Sequence, residues 1–299
     1  MNKNTSRLVF LATVIVVFSG IIVFKNIVQS FMSQNIPQPF KQIKKPDVNE
    51  IAVQDDKNET KVYKNKNIWT LQKDGVEYPA DIERIETIIN GFINLQKGET
   101  VSNNKDKHSS LGIGTKKITL KSNNQQFAIY IGNVAAMSKN YIRINNDNDV
   151  FISSGFNDMF TFNDYRDLHV HLINSEEKIN EIEIAFDNTI LTLVKKNNQW
   201  YSKDAKLKKE RVDFFLNDLK ILKAANILNK DSSSSGTNLS IKVKENNQEK
   251  TAEFSLPAEQ AGQKDNTAYI LKTSTSDRVF KIDGVYVSSL KKQEKDFAE

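Results

Sequence analysis

Apolar and polar positions alternate along most of this chain, and the period of the alternation changes in an ordered way. Ile182, Ile184 and Phe186 follow the two-residue period of a strand with one buried face. The pattern breaks at Asp187-Asn188 and resumes as the apolar run Ile190–Val194 leading to Trp200, which predicts hairpin strands around a turn. Earlier, Ile82, Ile85, Ile89, Phe92 and Ile93 recur at helical spacing behind Asp81. The Asp81 carboxylate can accept from the free amides of a first turn, Glu83 and Glu86 suit the helix dipole, and Gly98 can end the helix. Val212, Phe215, Leu216, Leu219 and Leu222 predict a second helix. Strand alternation returns after each: Ile118/Leu120 and Phe127/Ile129/Ile131 flank Asn123-Asn124, and Leu239/Ile241/Val243 and Ala252/Phe254/Leu256 are their counterparts.

Set against itself, the chain repeats this order. Val48-Asn49-Glu50-Ile51 is matched by Ile179-Asn180-Glu181-Ile182 and Trp69 by Trp200 at one offset, without a gap, and Lys64/Lys195 and Asn67/Asn198 fall on the same diagonal. Further on, the offset drifts as changes in loop length require, with Tyr141-Ile142 facing Tyr269-Ile270 and Val150-Phe151 facing Val279-Phe280. Such self-similarity signals two copies of one module. The expected fold class is therefore α+β, with repeats at 46–155 and 177–290, each a mainly antiparallel sheet with a packed helix. A linker at 156–176 joins them and a charged tail at 291–299 follows. Trp69 and Trp200, at equivalent strand positions, are expected to anchor the two cores.

One segment has no polar face. Leu8–Phe24 reads LVFLATVIVVFSGIIVF, at the short end of the roughly 17–25 residues a membrane-spanning helix needs. Lys3, Arg7 and the α-amine precede it and Lys25 is the nearby cation after it, so the positive-inside rule places the N-terminus in the cytoplasm. A cleaved signal peptide would have an apolar region of about 7–15 residues and a small-x-small site, and nothing of that kind follows Phe24. The expectation is a cytoplasmic stub and transmembrane anchor over 1–30 and a tether over 31–45 containing Pro37 and Pro39, with all later residues outside the cytoplasmic membrane.

Composition narrows the field. A chain of 299 residues has room for an anchor and two domains of roughly 100–150 residues each. Its 42 Lys and Arg against 37 Asp and Glu give a net charge of +5. The charges are interleaved, without the basic blocks of nucleic-acid arms, so no nucleic-acid partner is expected. There is no cysteine, which excludes disulfides, thiolate metal sites, a cysteine nucleophile and a lipid-modified cysteine.

Several short stretches together resemble a bacterial family of membrane-anchored tandem-repeat proteins of unknown function, often encoded beside gliding-motility-type ABC transporter and auxiliary components. They are the Trp69 strand with Tyr78-Pro79-Ala80-Asp81 opening a helix, Leu111-Gly112, Ile131-Gly132-Asn133, and Tyr141-Ile142-Arg143 followed by Val150-Phe151. Tyr165-Arg166-Asp167-Leu168 before Ile179-Asn180-Glu181-Ile182 is similar to the family's inter-repeat junction. The second copy lacks the Leu-Gly and Ile-Gly-Asn pieces. None of these motifs is catalytic, and the resemblance implies no activity.

The candidate chemistry is sparse. His169 and His171 share one side of a strand, a spacing metals use, but His108 is the only other imidazole and no metal is expected. Asp55-Asp56 and Asp147-Asn148-Asp149 offer carboxylates without the remaining ligands of a calcium loop, so the second is expected to be a hairpin turn. Leu111-Gly112-Ile113-Gly114 lacks the third glycine and following helix of a phosphate cradle. Ser232 to Ser235 before Gly236 has no assignable base and reads as a flexible linker. Arg166 with Asp167 is a charged pair at the junction, with an expected structural role worth at most about 1 kcal/mol if exposed.

No catalytic residue and no cofactor is assigned, and the chain is not expected to be an enzyme. It reads as a single-pass, periplasm-facing accessory or interaction protein of the bacterial envelope, associated with an ABC-type transport or gliding-motility-like complex. The alternative is a module binding an envelope glycan or small solute in the groove between the repeats.

Overall fold

A computed structural model describes residues 37–56, 58–156, 164–258 and 268–298, and the chain divides between Asp167 and Leu168 into two units. The expected anchor, Leu8–Phe24, lies outside the described residues. Among the described residues, no helix is long and apolar enough to cross a membrane.

The first unit runs β1 (Val48–Gln54), β2 (Glu59–Asn65), β3 (Ile68–Lys73), β4 (Val76–Pro79), α1 (Ile82–Ile93), β5 (Thr100–Ser102), β6 (Lys116–Ser122), β7 (Gln125–Ala136), β8 (Lys139–Ile144) and β9 (Val150–Ser154). Its strands form one nine-stranded sheet in the order β4-β3-β2-β1-β6-β7-β8-β9-β5, antiparallel throughout. In chain order α1 lies between the two edge strands. Its buried stripe of Ile85, Ile88, Ile89 and Phe92 joins Ile51, Leu71, Ile118, Ile129, Ile142 and Phe151 from the strands in a single core. Ile82, counted as part of that stripe from sequence, is 48% exposed.

The second unit runs β10 (Ile179–Phe186), β11 (Thr189–Lys196), β12 (Gln199–Ser202), β13 (Ala205–Lys206), α2 (Lys209–Lys220), β14 (Asn226–Leu228), β15 (Ser234–Glu245), β16 (Gln248–Pro257), β17 (Ala268–Thr273), β18 (Ser276–Asp283), α3 (Gly284–Leu290) and α4 (Glu294–Phe297). Its sheet has the order β13-β12-β11-β10-β15-β16-β17-β18-β14, strand for strand that of the first. The molecule is thus mainly β, two nine-stranded antiparallel sheets with a few helices.

Turn chemistry explains several of the asparagines. Asn123 and Asn124 have φ of 47° and 65°, and Asn246 and Asn247 have 49° and 63°. Lys66-Asn67, Asp187-Asn188 and Asn197-Asn198 are likewise positive at both positions. Two consecutive left-handed residues make the tight turn whose twist matches that of antiparallel strands, and Asn and Asp tolerate it best among residues with a side chain.

The likeness between the units extends to backbone irregularities. Register shifts fall between Val48 and Glu50 and between Ile179 and Glu181. Lys64 Nζ donates to the Pro46 carbonyl at 3.1 Å, and Lys195 Nζ to that of Glu177 at 3.4 Å.

Three stretches set apart from sequence as tether, linker and tail contain ordered ends of the units, and Phe40 and Ile43 of the tether are buried in the first core. Lys97 N–H donates to the Pro37 carbonyl at 2.9 Å, and Ala224 N–H to that of Leu168 at 2.8 Å. At the other end, Asp81 N–H donates to the Tyr165 carbonyl at 2.8 Å and Lys208 N–H to that of Phe297 at 2.9 Å. Each unit thus opens with a segment bonded just past its helix and closes with a strap over the helix N-terminus. Ser232 to Ser235, expected as a flexible linker, runs into β15, where the Ser235 hydroxyl donates to the Leu256 carbonyl at 3.2 Å.

Candidate functional site

A cluster of charge in the first unit is gathered at the strap of Asp164, Tyr165 and Arg166. Its backbone crosses the start of α1, where Asp81 caps the helix by accepting from Arg84 N–H at 3.3 Å. Arg84 Nη1 in turn donates to the Asp164 carbonyl at 2.8 Å. Arg166 is 5% exposed. Its Nε donates to both carboxylate oxygens of Asp164, at 2.9 and 3.0 Å, and its guanidinium lies 5.1 Å from the centre of the Tyr78 ring. Within the junction the sequence pairs Arg166 with Asp167. The guanidinium grasps the carboxylate of Asp164, and Asp167 N–H donates to the Pro79 carbonyl at 2.8 Å. Burial alone would raise the Asp164 pKa, but the Arg166 hydrogen bonds and charge, with Lys73 at 3.9 Å, hold it below the usual carboxylate range. Burial pushes the Tyr165 phenol up to about 12.

The second unit keeps the backbone of this arrangement and changes its side chains. Arg211 Nη1 donates to the Asp296 carbonyl at 3.1 Å, as Arg84 does to Asp164. Where the first unit has Asp81, Tyr165 and Arg166, the second has Lys208, Phe297 and Ala298. Phe297 is 1% exposed and meets Phe215 edge-on at 5.7 Å. The position of the strap is shared, and its ionic bonds are not.

Beside each strap lies a cleft. The first, of about 440 Å³, is lined by Asp55, Glu59, Thr60, Lys73, Asp74 and Asp164 among others. The second, of about 600 Å³, is lined by Ile190, Leu191, Lys196, Lys203, Glu294 and Lys295 among others.

Trp69 and Trp200 sit on β3 and β12, opposite Lys64 and Lys195, and are 7% and 1% exposed. The lysine ammonium groups lie 5.3 and 5.9 Å from the ring centres, and the tryptophan carbonyls accept from Ala80 N–H and Leu207 N–H at 2.8 and 3.0 Å. The rings of His169 and His171 are 5.8 Å apart. His108 hydrogen-bonds through Nε2 with the Asn148 carbonyl at 2.9 Å. Among the described residues, no group of three or more His, Asp or Glu is placed to hold a metal ion. Asp147, Asn148 and Asp149 lie in the loop between β8 and β9, where Asp149 accepts from Lys97 at 2.9 Å.

Two motif pieces read separately from sequence prove to be one contact. Asn133 N–H donates to the Leu111 carbonyl at 2.9 Å. A Cβ on Gly132 would lie 2.3 Å from that same carbonyl oxygen, and one on Gly112 would lie 2.4 Å from Asn133 Oδ1. Both glycines are needed for close approach. Since each piece packs against the other, their joint absence from the second copy is one structural change.

The match to a known family spans residues 69–240, and its description is a domain of unknown function, DUF4340. The matched region begins in β3 of the first unit and ends in β15 of the second. Comparison with curated proteins and with solved structures gives no match.

Proposed function

The chain belongs to the DUF4340 family of domains of unknown function, and on that premise we propose that it is a non-catalytic interaction protein of the cell envelope, with Leu8–Phe24 as its membrane anchor and both sheet units outside the cytoplasm. The observation that carries this reading is the pair of straps. At the best candidate site the charged groups hold a chain segment onto a helix terminus, and the second unit does the same with Phe297 and Ala298 in place of Tyr165 and Arg166. Groups whose ionic character is dispensable at the equivalent place serve folding, whereas catalysis requires a nucleophile or base aimed at a substrate position.

The partner favoured by the sequence resemblance is a subunit of an ABC-type transport or gliding-motility-like complex, an inference by association. Purification from detergent-solubilised membranes tests it: a stoichiometric transporter subunit is expected with the chain, and a lone monodisperse protein carrying bound sugar would overturn the reading in favour of a glycan-binding module. Protease added to spheroplasts should digest both units. Protection of the units would reverse the orientation, and a mature N-terminus near residue 30 would remove the anchor.

A further inference from the structure

The clefts of the two units occupy corresponding places in their sheets and differ in charge. By strand register, Glu59 of β2 pairs with Gln54 and Ile190 of β11 with Ala185, so an exposed isoleucine stands in the second unit where the first has a carboxylate. Gln72 of β3 corresponds to Lys203, just past β12. Among its described lining residues, the first cleft sets Asp55, Glu59, Asp74 and Asp164 against Lys73. The second sets Lys196, Lys203 and Lys295 against Glu294, whose Oε2 already accepts from the Ser202 hydroxyl at 2.8 Å.

Three like charges around one concavity repel each other, and a bound anion relieves that repulsion. Lysine is suited to phosphate as a compact point charge. The cleft is not purely polar, because Ile190 is 68% exposed on its lining and Leu191 and Val194 lie beside it. Its volume of about 600 Å³ lies within the roughly 300–1,000 Å³ typical of small-molecule sites. A free inorganic anion would leave the isoleucine in water, and a neutral apolar ligand would leave the lysines uncompensated.

We propose that the cleft of the second unit binds an anionic amphiphile, its phosphate or carboxylate held by Lys196, Lys203 and Lys295 and its apolar portion covering Ile190. The first cleft, with a carboxylate at the corresponding position, does not share this specificity. A membrane lipid and a soluble phosphorylated amphiphile present the same chemistry. The assignment is independent of whether a transporter subunit co-purifies.

The test uses the full chain in nanodiscs of zwitterionic lipid, titrated calorimetrically with dihexanoyl phosphatidate, dihexanoyl phosphocholine and inorganic phosphate. Dihexanoyl phosphatidate should bind measurably tighter than either comparison compound. The double variant Lys196→Glu, Lys203→Glu should weaken it by at least about tenfold through lost charge-assisted contacts, the single variant Ile190→Glu should weaken it similarly by setting a carboxylate against the apolar portion and the anion, and Gln72→Glu in the first unit should leave it unchanged. All four positions are solvent-facing, so an unaltered circular dichroism melt checks that each variant is folded. Equal binding by the lysine variant, no saturable binding by the parent, or equal binding of inorganic phosphate would each overturn the proposal. Phosphatidate placed in the disc itself identifies the source: competition with the soluble form marks a membrane lipid, and its failure to compete marks a soluble ligand.

Discussion

Asp164 and Tyr165 are neighbours on one strap, yet their ionisations tie the first unit to opposite ends of the pH scale. Burial opposes charge on Asp164, but Arg166 and Lys73 overcome it and the folded pKa lies below the ordinary value of 3.8. A depressed carboxylate pKa contributes stability that is present above the unfolded pKa and lost as pH falls through the folded one. Asp164→Asn should therefore lower stability at neutral pH and flatten its decline in acid, read as the denaturant midpoint of the first unit against pH. An acid limb parallel to that of the parent would show that other carboxylates control it. Tyr165 moves the other way, since burial raises its phenol from 10.0 to about 12. Burial does the same to Tyr286, whose hydroxyl donates to the Asp218 carbonyl. A raised phenol contributes stability below pH 10 that is lost as pH climbs towards 12. Native phenolate absorbance should thus show a late-titrating fraction that shrinks in Tyr165→Phe and vanishes on unfolding; a single native step near pH 10 would contradict it. None of this is visible in the sequence. Tyr165 and Arg166 can be read as a junction motif, but a clamp to a helix start some eighty residues earlier depends on backbone hydrogen bonds that leave no mark on residue identity.

Among the elements, legibility follows period and length. The long alternating strands and the two helices can be read because a buried face enforces periods of two and 3.6. The edge strands cannot: β13 has two residues, and β5 and β14 have three each, too few to display a period. The end of α1 is misplaced from sequence for a related reason. Gly98 offers a generic stop signal, but Asn94 caps the helix, and Gly98 is a glycine because a Cβ there would lie 2.3 Å from the Ile152 carbonyl oxygen. The contact between Leu111-Gly112 and Ile131-Gly132-Asn133 yields a prediction of the same kind. Gly132→Ala must push the Leu111 carbonyl aside or break its bond to Asn133, at a cost of about 1–3 kcal/mol, and thermal unfolding should register it. Gly236→Ala in β15, where nothing lies within 4 Å of the added Cβ, should be close to neutral. If the two variants melt alike, the close approach at Gly132 is not what the glycine serves.

At the scale of the whole molecule, the identical strand order of the two sheets has a consequence for cooperativity. The core of the first unit gathers residues from Phe40 to Tyr165. In the second, Trp200, Phe215, Leu219, Ile241 and Phe297 are each 2% exposed or less. The matching tryptophans are the clearest mark of repetition in the sequence because a large buried ring resists substitution, while the straps and clefts around them have diverged in charge. Truncating Trp200 to Ala removes a side chain that is 1% exposed, and such losses cost about 3–5 kcal/mol through lost burial and an unfilled cavity. That is a large share of the roughly 5–15 kcal/mol by which a domain is stable. If each unit keeps its own core, the loss stays local, because opening free energies are set by the cooperative unit that contains the residue. Hydrogen exchange on the full chain should then show faster exchange throughout β10–β18 in Trp200→Ala while amides of β1–β9 keep their protection, and Trp69→Ala should give the mirror image. Uniform acceleration of both sheets by either substitution would mean that the two units unfold as one, whereas parent-like exchange in both variants would mean that the rings contribute little to either core.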